Sequence, residues 1–212
     1  MFYDRIDAGL ALAMRLKKFS NEPGVVLAVP RGGIPIAYVV AKELGFPLDI
    51  LLTKKIGHPS NKEYAIGAVS LSDAYIIPHK DVTTEYIENE TEKIRERLRE
   101  IYRKFKGNDQ PINLKGKTVI VIDDGIATGN TLMATIKMLK KSNPGKLIIA
   151  APVASESAVE KLSLLVDEVI CLLIPTLFYG VGAFYENFEQ LTDEDVMKYL
   201  DELRKEDEKK TA

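Results

Sequence analysis

Five consecutive β-branched residues, Thr118 to Ile122, run directly into Asp123 and Asp124 and then into the turn Gly-Ile-Ala-Thr-Gly-Asn-Thr. Such a run predicts a strand buried on both faces. After the turn, Leu132, Ile136, Leu139 and Lys140 fall at helical spacing, so a helix follows the strand. The two acids therefore stand at the carboxyl end of a buried strand and the small residues at a helix N-terminus. In an α/β sheet, ligands bind at that end, where unpaired N–H groups and the helix dipole favour phosphate. Thr128 and Thr131 add hydroxyl donors, and Gly129 has no Cβ to obstruct close approach. The chemistry this arrangement asks for is a monophosphate beside a polyol.

Rival readings of the same residues fail on spacing. A Walker A loop needs four residues between its glycines and then Lys; here three separate Gly125 from Gly129, and Asn130 stands where the Lys would be. The dinucleotide fingerprint G-x-G-x-x-G is missing from this segment. A metal clamp of the phosphatase kind wants both acids on one side, whereas neighbouring strand residues point to opposite faces. Asp123 and Asp124 are better placed to hold two groups than to chelate one ion.

The rest of the chain alternates strands with helices, which predicts an α/β fold with a mainly parallel central sheet and helices on both faces. Residues 4–18 fit an amphipathic helix through Ile6, Leu10, Ala13 and Leu16. A short strand over 25–29 leads into Pro30-Arg31-Gly32-Gly33, and Pro35 at a first helical position opens a helix to about Leu44, closed by Gly45. A strand over 48–53 ends in Lys54 and Lys55; residues 56–64 are polar and turn-rich, and 65–71 with 74–77 could pair as a hairpin. A long helix over 82–106 carries Ile87, Ile94, Leu98, Ile101 and Phe105 on its apolar stripe. Strands are expected over 146–153 and 168–174, with a helix over 156–166 between them. An aromatic stretch follows, and a last helix is capped by Thr192 with Asp195. No second-domain linker stands out, so residues 1–212 read as one domain whose polar tail, about 201–212, frays.

A net charge of −2 exerts no global pull on nucleic acid. The basic half of the long helix (Arg95, Arg97, Arg99, Arg103, Lys104, Lys106) follows an acidic half, which complements the helix dipole and argues against a nucleic-acid patch. The one cysteine, Cys171, lies in an apolar run and reads as a core thiol in a cytoplasmic protein with no membrane span. His58 and His79 read as isolated, without metal-ligand spacing.

Pro30-Arg31-Gly32-Gly33 repeats the logic of the acidic segment: a buried strand yields to glycines at a helix start, with an arginine added. Phe178 or Tyr179, in the aromatic stretch, could stack on a flat ring.

The strand, paired acids and Thr-Gly-x-Thr turn of residues 118–131 resemble the phosphoribosyl-pyrophosphate (PRPP) signature of type I phosphoribosyltransferases. Asp4-Arg5-Ile6-Asp7-Ala8-Gly9, Pro30 to Pro35, Lys55-Ile56-Gly57 and Ala65 to Ala68 extend the resemblance over nearly the whole chain, toward a group of predicted phosphoribosyltransferases of bacteria and archaea. The resemblance implies a small hood over the sheet. It implies that Asp123 and Asp124 hold the ribose hydroxyls, and that Gly125 and Ala127, Thr128, Gly129, Asn130 and Thr131 wrap the 5′-phosphate. Arg31, Gly32 and Gly33, with Lys54 and Lys55 on a flexible loop, would meet the pyrophosphate. The catalytic set is then Arg31, Lys55, Asp123 and Asp124. Mg²⁺ is the implied cofactor, held mainly by PRPP near Asp123 and Asp124, with no direct protein metal site.

The implied reaction, in nucleotide metabolism, moves the phosphoribosyl group to a nitrogenous, nucleobase-like small molecule; a homodimer rests on the resemblance alone. Family members acting on 6-oxopurines carry an Asp where this chain has Ala127, which argues against guanine and hypoxanthine; adenine and orotate enzymes can have Ala there. The alternative is a regulator that senses PRPP without turnover. A sugar-phosphate hydrolase is disfavoured by the adjacent acids.

Overall fold

The computed structural model describes residues 1–108 and 110–211. Five parallel strands form the main sheet in the order β2-β1-β6-β7-β8: β1 (Gly24–Ala28), β2 (Leu48–Ile50), β6 (Thr118–Ile122), β7 (Lys146–Val153) and β8 (Glu168–Leu173). Between β2 and β6 the chain builds a second, antiparallel sheet from β3 (Thr53–His58), β4 (Asn61–Ser70) and β5 (Ala74–Ile76). The helices are α1 (Arg5–Leu16), α2 (Gly33–Leu44), α3 (Thr84–Lys106), α4 (Asn130–Lys141), α5 (Glu156–Ser163) and α6 (Asp193–Thr211).

The period of two along each strand divides the core. Val26, Ala28, Ile120, Ile122, Ile148 and Ala150 face α1, α2, α3 and α6. Val25, Leu27, Val119, Val121, Leu147 and Ile149 face α4 and α5. Both faces are covered, which is why these strands read as unbroken apolar runs.

That division also locates a crevice. β1 and β6 are paired neighbours in register Val26↔Ile120, yet the helix after β1 packs on one face and the helix after β6 on the other. The chain thus departs from this pair in opposite directions, and the carboxyl ends of β1 and β6 form a topological switch point. Pro30-Arg31 and Asp123-Asp124 sit there.

Four readings of the sequence change. The helix after β1 starts at Gly33, so Pro35 lies inside its first turn, where the missing N–H costs nothing. The strand predicted over 48–53 divides at Leu51-Leu52, and Lys54 and Lys55 belong to β3 of the small sheet. Residues 56–64 are a hairpin, β3 against β4 turning at Pro59-Ser60, in place of an open loop; the β4–β5 pairing is as expected. The segment from Asp201 continues α6 because Val196, Leu200 and Leu203, at i, i+4 and i+7, give it a buried stripe. Lys42 Nζ also pairs with Glu206 Oε1 at 2.7 Å, while Ala212 lies outside the described residues.

Residues 2–3 and 184–187 make a small cover over the carboxyl end of the sheet. Phe2 N donates to Phe184 O (2.9 Å), Glu186 N to Phe2 O (2.9 Å) and Asn187 N to Tyr3 O (2.8 Å). Among the described residues no helix is long and apolar enough to cross a membrane.

Candidate active site

Asp123 and Asp124 follow β6 directly, and the loop after them is pinned to the end of β7. Ile126 N donates to Val153 O (2.9 Å), Ser155 N to Ile126 O (2.9 Å) and Ser155 Oγ to Ala127 O (2.5 Å). Ser155 also caps α5, its Oγ accepting from Ala158 N at 3.2 Å. Sequence reasoning missed this serine, although a Ser before a helix is a readable cap. Gly129 takes φ +70°, the left-handed region that suits glycine, and starts α4. Thr128, Asn130 and Thr131 are exposed around that helix start. The first N–H groups of α4 have no acceptor within the helix, and Asn130 N has only a long contact to Thr128 Oγ1 at 3.5 Å.

The Pro30-Arg31-Gly32-Gly33 turn meets this loop across the crevice. The Pro30–Arg31 peptide is cis. An added Cβ on Gly32 would lie 1.9 Å from Asp124 Oδ2, and one on Gly33 2.5 Å from Ile122 O. Only glycine allows the two turns to approach so closely. The Arg31 side chain is exposed and turns to the start of α6, its Nε donating to Asp193 Oδ1 at 2.9 Å. Lys104 Nζ reaches Asp193 Oδ2 at 2.7 Å, and this lysine together with Arg31 holds the Asp193 carboxyl below the usual carboxylate range.

Arg31, Gly32 and Asp124 line a cavity of about 410 Å³ together with Arg5, Phe188 and the 189–191 segment. Arg5, part of the Asp4–Gly9 motif, and Phe188, in the aromatic stretch, were given no site role from the sequence. Arg5 Nε and Nη2 donate to Asp124 Oδ2 at 3.0 and 2.8 Å, and its guanidinium lies 3.9 Å from the Phe188 ring centroid. The Tyr185 hydroxyl donates to Asp124 O at 2.6 Å, drawing the C-terminal cover onto the acid. Asp123 accepts from Asp124 N at 2.9 Å. Burial first, and then the charge of Asp124, push the Asp123 carboxyl well above the ordinary aspartate range.

Other residues singled out above lie apart from this cavity. Lys54 and Lys55 are exposed on β3, opposite Val69 and Ala68 of β4. Phe178 packs against Phe184, ring centroids 5.7 Å apart, while Tyr179 is exposed. The two histidines come together, with ring centroids 5.9 Å apart and His58 Nε2 3.0 Å from Asp81 Oδ2, so they are not isolated. Several bases of α3 are engaged within the protein: Arg95 and Arg99 with Glu92, Lys104 with Asp193, and Lys106 Nζ with Leu48 O. Cys171 is half-buried on β8 where a fully buried core thiol was expected, and its burial pushes the thiol up to about 11.

Known proteins share this architecture. The model of the phosphoribosyl transferase domain matches residues 4–187. A Mycobacterium tuberculosis protein provisionally named a phosphoribosyl transferase is 37% identical over 207 residues, covering 95% of this chain and 46% of its own length. The chain thus spans about half the length of the curated relatives it matches first. A ribose-phosphate pyrophosphokinase of Pyrococcus furiosus is 30% identical over 177 residues, 70% of this chain and 62% of that protein. The crystal structure of TT1426 from Thermus thermophilus superposes with a TM-score of 0.84 at 38% identity, covering 95% of this chain and 98% of that one. The chain belongs to the phosphoribosyl transferase domain family.

Proposed function

We propose that this protein binds Mg²⁺·PRPP in the crevice between β1 and β6 and transfers the phosphoribosyl group to a nitrogenous, nucleobase-like acceptor in the cytoplasm, with release of pyrophosphate. The observation that carries the reading is the contact of the two turns: the Gly32 backbone packs against Asp124, beside the helix start at Gly129. A molecule with a phosphate at one end, a diol in the middle and a second phosphate group at the other matches that order of donors and acceptors.

In this reading Asp123 and Asp124 take the ribose hydroxyls, and the N–H groups and hydroxyls of residues 127–131 take the 5′-phosphate. The acceptor nitrogen forms its bond to the anomeric carbon as the bond to pyrophosphate breaks, through an oxocarbenium-like state. Negative charge grows on the departing group, so cations there stabilise the transition state more than the ground state. In this reading Arg31, released from Asp193, and the Gly32-Gly33 backbone take that role, with Lys54 and Lys55 reaching it only if the hairpin of the small sheet swings over the crevice. The cover formed by residues 184–187 would exclude water from PRPP.

Among the described residues no cluster of three His, Cys, Asp or Glu side chains could hold a metal. A hard cation carried by the pyrophosphate oxygens would find carboxylate oxygens of Asp123 and Asp124 beside it. Bound there, it would neutralise charge on the leaving group.

The test is pyrophosphate release from Mg²⁺·PRPP with nucleobases and a small-metabolite extract as acceptors. Acceptor-dependent release that disappears in Asp124→Asn is the expected result. Tight PRPP binding without release would make the protein a PRPP sensor, and no PRPP binding would sink both readings.

A further inference from the structure

The Asp4 to Gly9 segment has no part in the roles given above, yet it sends one side chain into the crevice. Asp4 caps α1 by accepting from Asp7 N at 2.8 Å, which sets Arg5 as the first helical residue. Gly9 then lets α1 lie tight on α2; an added Cβ would be 3.0 Å from Val39 Cβ. The backbone of Arg5 is thereby fixed.

Its guanidinium is fixed as well, from three sides. Nε and Nη2 both reach Asp124 Oδ2, Nη1 donates to Glu189 O at 2.9 Å, and the Phe188 ring lies against its face. The Arg5 side chain is 10% exposed and that of Asp124 14%. An arginine and a carboxylate usually meet fork to fork, two donors on two oxygens. Here both donors converge on one oxygen, and a Cβ added to Gly32 would fall nearer to that same oxygen, 1.9 Å from Oδ2 against 2.8 Å from Oδ1. Asp124 is held by one half of its carboxylate.

We infer that Arg5 is a positioning residue: it anchors Asp124 through Oδ2 so that Oδ1 is presented to a ribose hydroxyl. This rests on the ribose-binding role proposed above for Asp124. Phe188 and Glu189 tie the orientation to the segment that runs from the cover into α6, so the N-terminal helix, the acid and the C-terminal segment are set as one unit. Lysine could supply the charge but not two donors to one oxygen and a third to a carbonyl.

The experiment compares wild type, Arg5→Gln and Arg5→Lys by calorimetric titration with ribose 5-phosphate, its 2-deoxy and 3-deoxy analogues, inorganic pyrophosphate and Mg²⁺·PRPP, alongside thermal melts. The expected result is a loss of about ten- to hundredfold for ribose 5-phosphate and PRPP in Arg5→Gln, the range for one hydrogen bond to a charged group. The penalty for the deoxy analogues should shrink in that variant, pyrophosphate should bind as in wild type, and Arg5→Lys should fall between.

Equal ribose 5-phosphate affinity and an unchanged deoxy penalty in Arg5→Gln would overturn the inference. So would a parallel loss of every ligand together with a large drop in melting temperature in both variants, which marks a structural role only. Wild type that binds neither PRPP nor ribose 5-phosphate would remove the functional reading itself, and this inference with it.

Discussion

The backbone of Gly32 packs directly against the carboxylate of Asp124, with room for no side-chain atom between them: an added Cβ would stand 1.9 Å from Oδ2 and 2.3 Å from Cγ. The turn after β1 and the acid after β6 therefore hold each other in place. Gly32→Ala is expected to push the turns apart, at a cost of about 1–3 kcal/mol in stability, the usual range for overpacking. Its PRPP affinity should fall by tenfold or more, on the order of 1.4 kcal/mol. Urea unfolding and PRPP titration of the alanine variant check both numbers. Wild-type affinity in a normally folded variant would show that the contact is not part of the site.

Asp123 gives a pH signature. Its carboxyl is raised by burial and by the charge of Asp124, so the folded protein retains a proton that the unfolded chain releases above about pH 4. A group raised on folding contributes stability below its unfolded pKa and loses it as pH rises toward its folded value. Asp123→Asn cannot ionise, while its side-chain oxygen can still accept from Asp124 N. The variant should therefore gain stability relative to wild type as the pH of unfolding is moved from 5 to 8. A constant difference across that range would mean that Asp123 is not the titrating group.

Val181 seals the other side of the signature loop. A Cβ on Gly125 would lie 2.4 Å from Val181 Cγ1 and 2.6 Å from Cγ2. Gly125→Ala should cost about 1–3 kcal/mol through this clash. Val181→Ala removes the clashing methyls, so the double variant should be more stable than the sum of the two single losses by about 0.5–3 kcal/mol. Strict additivity in a double-mutant cycle would place the cost of Gly125→Ala elsewhere.

What could be read before folding was whatever local pattern governs. The strands Thr118–Ile122 and Lys146–Val153 and the capping bonds of Thr192 with Asp195 follow from runs and spacings within a few residues. The turns at 31–33 and 123–131 were legible for the same reason, since a turn at a helix start is a local motif. Arg5 was not, because its partner Asp124 lies 119 residues away. The apolar run over 48–53 could not reveal a break at Leu51-Leu52, because apolar character alone does not say which of two sheets a residue joins. The pairing of His58 with Asp81 depends on how the β3–β4 hairpin packs, which no spacing encodes.

Tyr102 provides a test of stability that leaves the crevice alone. It is 1% exposed on α3, and its hydroxyl donates to Asp49 Oδ1 at 2.8 Å. Asp49, 2% exposed on β2, also accepts from Ile50 N at 2.8 Å and Ile112 N at 2.9 Å. Lys106 Nζ stays 3.9 Å away and bonds instead to Leu48 O. The buried carboxylate thus joins β2 to α3 and to the segment leading into β6, and its charge is matched mainly by hydrogen bonds. Burial and that same charge push the Tyr102 phenol far above its ordinary range, so it remains a donor at all neutral and mildly alkaline pH. Tyr102→Phe keeps the ring and removes one bond to a charged acceptor, worth about 1.5–3 kcal/mol. The urea midpoint should fall by a corresponding amount at pH 6 and at pH 9 alike, with PRPP affinity unchanged. A loss within about 0.5 kcal/mol, the usual range for a surface substitution, would show that the backbone donors alone satisfy Asp49.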